Sequence, residues 1–273
     1  MNRRSRLLII PAVLVPVVPV VVGLLLITSS SGNAADHGVG SGGHYTPVAG
    51  SAYSASTTLA KRPAFALNTQ AIPSGPGALV AQLNTPAVMR TSPGGGARIG
   101  KLGLRTEFGS PVVMWVERHT GHWLGVVSPT AGNGRIGWIP ASATSLYRVN
   151  WEIKVSLSQR HVFVFHAGQQ VKSYVIAIGK PNAPTPTGNF AVTDRLSTGD
   201  PTGPYGCCIL ATSALAPHAI QDWSGGNRIA IHSTPDTSTI GQAISHGCMH
   251  VTLPEGQWLI DHVPLGTPVI IRE

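Results

Sequence analysis

The sequence predicts a mainly β protein, a small barrel followed by a second domain that opens with an antiparallel meander and carries a short helix. Three observations lead there. Only 11% of the 273 residues are charged while 32 are Gly and 22 are Pro, a balance that favours short strands and turns over long helices. Apolar residues at helical spacing are scarce outside the N-terminus and a stretch near Trp258. Short apolar alternations recur along the rest of the chain, separated by Gly-, Pro- and Asn-containing breaks of the kind that punctuate hairpins.

The length suits about two domains of ordinary size once a targeting segment is set aside. Arg3, Arg4 and Arg6 precede an uncharged run from Leu7 to Ile27, long enough at helical rise to cross a bilayer. The run exceeds a usual signal-peptide core, and the small-residue cleavage site around Ala34 and Ala35 is poor, so residues 1–28 read as a cytoplasmic basic stub and an uncleaved transmembrane signal-anchor. Cleavage would instead make the protein secreted. Residues 29–77 are rich in Gly, Ser, Ala, Thr and Pro, too poor in large apolar groups to offset the entropy of ordering, and read as a flexible linker with a mean reach of about 35 to 40 Å. The expected placement is a cell membrane, single-pass, with everything after Thr28 outside. A net charge of +8 is scattered, with no basic helix and no aromatic-basic interleaving, which argues against nucleic acid and fits a polyanionic envelope or solubility alone.

Residues 78–147 alternate at Leu79–Leu83, Val112–Val116 and Trp123–Val127, with turns at Ser92–Gly96 and Gly132–Gly134. This is the small barrel. Its Gly121-His122-Trp123-Leu124 and Gly134-Arg135-Ile136-Gly137-Trp138-Ile139 resemble the bacterial Src-homology-3-like domains that stand beside wall enzymes. Trp115, Trp123 and Trp138 could stack a ligand, but aromatics in alternating strands more often belong to a core, and no binding site is assigned to them.

In residues 148–273, Ile153, Val155 and Leu157 alternate with polar neighbours, and Val162–Phe165 and Val171–Ile178 follow across turns at Ser158–Arg160 and Ala167–Gln169, the pattern of an antiparallel meander. Thr252 and Glu255 have capping-box spacing ahead of Trp258, Leu259 and Ile260, which predicts a short helix.

The chemistry concentrates between Arg228 and Val251, where one Cys and three His occur. A thiol is an effective nucleophile only as thiolate, so it needs an imidazole to take or balance its proton, and amide donors near the substrate carbonyl. His232, at the end of an apolar strand pattern, and Cys248, after a loop long enough to fold back, can supply the pair. Gly247 permits a tight backbone whose amides, with those of His246 and Cys248, could face a developing oxyanion.

His232, a spacer and then Ser245-His246-Gly247-Cys248 resemble the signature of the L,D-transpeptidase catalytic domain. The resemblance runs from Arg148 to the C-terminus and takes in Thr185-Pro186-Thr187-Gly188-Asn189-Phe190 and Gly266-Thr267-Pro268-Val269. It implies a β-sandwich with one or two short helices, a bacterial setting, and a transferase that cross-links peptidoglycan stem peptides in cell-wall biogenesis. The Cys attacks the carbonyl after the third, diamino residue of a tetrapeptide donor and releases D-alanine, and a neighbouring stem's amine then takes the acyl group. No cofactor is implied. By the resemblance Cys248 is the nucleophile, His232 the general base and acid, the Ser233 backbone carbonyl orients His232, and His246 and Gly247 shape the oxyanion site. Asp236 is then not needed as an orienting carboxylate.

The resemblance is imperfect at His250, where Arg or Asn is common. A His there can still contact substrate, and the contact should depend on pH near its ordinary pKa. Cys207 and Cys208 allow pairing with other thiols, a vicinal disulfide, or packing as small apolar residues, and the last is preferred. The rival readings are an L,D-carboxypeptidase acting on the same stems, a wall-binding protein without activity, and a metal site built from His232, His246, Cys248 and His250, although the spacing matches no zinc motif and no metal is expected.

Overall fold

The computed structural model describes residues 46–48, 71–217 and 226–273. The expected anchor at 1–28 and most of the expected linker lie outside the described residues. Among the described residues no helix is long and apolar enough to cross a membrane.

The chain enters with a two-residue strand, β1 (Thr46–Pro47), inside the segment expected as linker, and Val48 N donates to Arg195 O at 2.9 Å just beyond it. Seven strands follow: β2 (Ala78–Leu83), β3 (Ala87–Arg90), β4 (Arg98–Leu102), β5 (Val113–Thr120), β6 (Trp123–Val126), β7 (Gly137–Pro140) and β8 (Thr144–Val149). They form an antiparallel sheet in the order β4-β3-β7-β6-β5-β2-β8. Its core holds Leu79, Ala81, Met89, Met114, Val116, Leu124 and Ile139. Trp115, Trp123 and Trp138 are only partly buried and stand outside that core, which corrects the core reading. The reason is strand parity: Met114 and Val116, Leu124, and Ile139 occupy the inward positions beside them. β8 also runs to Val149, past the boundary expected at 147, and Arg148 donates to Pro73 O (2.8 Å) and Gly77 O (2.6 Å).

The second unit contains β9 (Trp151–Ser156), β10 (His161–His166), β11 (Gln169–Val175), β12 (Ile178–Gly179), β13 (Gly188–Ser197), β14 (Cys208–Leu215), β15 (Arg228–Ser233), β16 (Ala243–Ser245) and β17 (Met249–Val251). Among the described residues, one α-helix, α1 (Leu253–His262), and β18 (Pro268–Arg272) complete it. β9, β10 and β11 are the antiparallel meander. The helix starts at the capping box, with Glu255 Oε2 accepting the Thr252 N–H at 2.8 Å.

The strand path β11-β10-β9-β18-β13-β14-β15-β17 turns at β13, which pairs with β18 through residues 188–191 and with β14 through 192–197, with a register shift between Val192 and Asp194. The two halves enclose one core: Ile153, Val155, Val162 and Val164 come from one side, and Leu210, Ile229, Ile231 and Met249 from the other. Because Ile229 and Ile231 point into that core, strand alternation sends Arg228, Ala230 and His232 to the opposite face of β15.

Candidate active site

β15 and β17 pair in parallel with Ile231 opposite Met249 and His232 opposite His250. Met249 joins the core with Ile231, so His250 shares the outer face with His232, and Cys248 falls one step back on that face beside Ala230. Cys248 packs in an apolar cluster with Leu196, Ile209, Ala211 and Ala230, against which Phe108 and Tyr205 are laid. Cys248 is 6% exposed and His232 3%.

Burial pushes the Cys248 thiol up to about 11, only partly offset by a hydrogen bond from the Ala230 backbone. Burial also pushes His232 down to about 3, with the neighbouring His250 adding to the effect and the Ser233 backbone opposing it. His232 Nδ1 stands 2.9 Å from the Ser233 carbonyl oxygen. A carbonyl only accepts, so Nδ1 carries the proton and Nε2 keeps its lone pair for a proton acceptor's work. That is the contact the resemblance assigns to Ser233. Asp236 instead accepts Ser238 N at 3.1 Å as the cap of a short turn, exposed to solvent.

The loop that carries Cys248 is fixed from beneath. Thr185 Oγ1 donates to Gly247 O (2.8 Å) and accepts Gly179 N–H (2.9 Å), while Ser245 Oγ donates to Cys248 O (2.6 Å). Gly247 sits at φ +115°, and a Cβ there would come within 2.7 Å of Ile229 Cδ1, so any side chain would strain the turn that delivers Cys248. The Gly247 amide, expected at the oxyanion position, donates here to Ser245 Oγ at 3.0 Å. His246 is exposed, with Nε2 3.0 Å from Lys180 Nζ. His250 is half-buried, its ring centroid 4.4 Å from that of His232 and its Nδ1 buried without a hydrogen bond. Burial holds its pKa below the ordinary value, so any pH sensitivity sits lower than the sequence suggests.

The sequence reading missed the contributions of Phe108 and Tyr205, whose ring meets that of His232 edge-on at 5.0 Å. It also missed the role of Thr185, although the Thr-Pro-Thr-Gly motif was in view. Cys207 and Cys208 form a vicinal disulfide, Cα–Cα 3.7 Å, in place of two free thiols, although Cys208 remains buried in the core. Ser233 Oγ accepts the Cys208 N–H at 3.1 Å, so the bridge abuts the residue that orients His232. Among the described residues, no three His, Cys, Asp or Glu side chains are grouped to hold a metal ion.

A buried thiol and an oriented, neutral imidazole on one sheet face, with two aromatic rings packed in the same region, are the parts that cysteine acyl transfer needs. Residues 150–271 match the YkuD family, the L,D-transpeptidase catalytic domain. The chain is 32% identical over 123 residues to a YkuD protein of Bacillus licheniformis, a match covering 45% of this chain and 66% of that protein. It is 30% identical over 126 residues to YkuD of Bacillus subtilis (strain 168), covering 46% of this chain and 68% of the relative. With L,D-transpeptidase 1 of Mycobacterium tuberculosis (strain H37Rv) the identity is 30% over 129 residues, 43% of this chain and 49% of the relative. The chain thus spans about two thirds of the Bacillus relatives' length and about half of the mycobacterial one. It belongs to the YkuD family of L,D-transpeptidase catalytic domains.

Proposed function

We propose that this protein is an L,D-transpeptidase that cross-links peptidoglycan stem peptides through an acyl-enzyme on Cys248. One observation carries the reading: His232, with Nδ1 held by Ser233 O, shares a sheet face with the buried thiol. In the first half-reaction, His232 takes the Cys248 proton as sulfur bonds to the donor carbonyl carbon. The C–N bond to D-alanine then breaks and the proton leaves with the amine. In the second, an acceptor amine bonds to the same carbon, the C–S bond breaks, and the amine's proton returns through His232 to sulfur. Water in place of the amine would give the carboxypeptidase outcome.

The wall-facing placement fits the disulfide at Cys207 and Cys208, which persists in oxidising compartments, and the basic, apolar N-terminus, read as a membrane anchor. The seven-stranded unit is read as a Src-homology-3-like module on its Trp and Gly pattern and small antiparallel sheet. The test is intact-protein mass spectrometry of the full-length chain with a carbapenem and, separately, with a disaccharide-tetrapeptide. A Cys248-dependent adduct and a dimeric product, both absent from Cys248→Ala, are the expected result. Folded parent with a free Cys248 thiol that gives neither would refute the reading. His232→Asn should lower the acylation rate by about 100- to 10,000-fold.

A further inference from the structure

The outer face that carries Cys248 and His232 is shared with a visitor. Residues 104–112 connect β4 to β5 of the N-terminal sheet and lie over this face of the second unit. The loop is held inside itself: Thr106 N donates to Ser110 O (2.9 Å), Val112 N to Leu104 O (3.0 Å), and Arg105 Nη1 to Gly109 O (2.7 Å). It is held to the second unit as well. Thr106 Oγ1 donates to buried Asp194, Glu107 pairs with buried Arg228, and the Arg228 guanidinium lies 5.9 Å from the centre of the Phe108 ring. Phe108 is therefore a fixed ring, partly buried, packed on the cluster that includes Cys248, with Tyr205 packed on the same cluster. Two rings from separate sheets thus pack on the apolar cluster that holds Cys248, a residue 6% exposed.

We infer that Phe108 is a specificity-determining residue of the Cys248 site, forming the wall on which the aliphatic chain of the donor's third residue packs. An aromatic face excludes water from methylene groups and offers them broad contact, and a ring already immobilised by its loop adds little ordering cost on binding. The N-terminal sheet is on this view part of the enzyme's substrate cleft. The inference rests on the transpeptidase reading.

The experiment compares parent, Phe108→Ala, Phe108→Leu and Phe108→Tyr in the full-length chain by two rates. One is acylation of Cys248 by the disaccharide-tetrapeptide, and the other is alkylation of Cys248 by iodoacetamide, a small neutral probe that needs no wall. Phe108→Ala should lose about 10- to 100-fold in acylation kcat/KM, chiefly through KM, with Phe108→Leu intermediate, Phe108→Tyr near parent and alkylation as fast as in the parent or faster in all. Unchanged acylation in Phe108→Ala, or equal losses in both rates, would overturn the inference, the second by showing that the ring only supports the fold. If Phe108→Ala does not fold, Phe108→Leu is read by the same split. Failure of the parent itself to acylate, while iodoacetamide still reacts, would remove the transpeptidase reading and this one with it.

Discussion

Cys248 and His232 rest uncharged. With the thiol pushed up to about 11 and the imidazole down to about 3, the resting pair is thiol and neutral imidazole at physiological pH, and the thiolate forms only as the proton moves during attack. Iodoacetamide alkylation of Cys248 should therefore climb steadily between pH 6 and 10, and a plateau between pH 5 and 8 would reveal a resting ion pair instead. Stability follows with a definite sign. The unfolded His232 takes up its proton near 6.5 and the folded one only near 3, so the stability present above pH 6.5 drains away as pH falls towards 3. Urea midpoints of His232→Asn should fall less than those of the parent across that window. His232, Cys248 and their loop were legible in the sequence because few side-chain types can do this chemistry and they lie close together in the chain. Phe108 was not, since its place beside Cys248 depends on a loop from another sheet, and nothing in its own neighbourhood of sequence points there.

At the scale of elements, the period of the pattern carried most of the reading. The meander of β9 to β11 and the capped helix α1 are local features, set by alternation, turns and a Thr-x-x-Glu box. The Trp positions were misread because burial is decided by which face of a curled sheet is inside, which the alternation itself leaves open. The bend of β13, which hands the chain from one half of the sandwich to the other, depends on partners at both ends of the strand. The turn before β18 shows the same dependence. Gly266 sits at φ +80°, and a Cβ there would come within 2.8 Å of both Val80 Cγ1 and Val113 Cγ1 in the N-terminal sheet. Gly266→Ala should cost about 1–3 kcal/mol in urea denaturation, from backbone strain and overpacking together.

For the molecule as a whole, the two units are joined through a buried charge cluster. Asp194 is fully buried, and its Oδ2 has no hydrogen bond, only the Arg228 guanidinium at 3.7 Å. Burial raises the Asp194 carboxyl pKa, while Thr106 and Arg228 favour its charged form. Arg228→Met would strand that carboxyl, and a loss of about 3–5 kcal/mol is expected, whereas Glu107→Gln, at a side chain 52% exposed, should cost less than about 1 kcal/mol. Differential scanning calorimetry of both variants checks the contrast. The cluster was invisible in sequence because Glu107, Asp194 and Arg228 come from three distant segments. Finally, the bridge between Cys207 and Cys208 locks away two of the chain's three cysteine sulfurs. The protein thereby carries a built-in address: without reductant, any thiol-selective fluorophore, crosslinker or affinity handle can report from Cys248 alone, and a label stoichiometry above one per chain would mean that the bridge had opened.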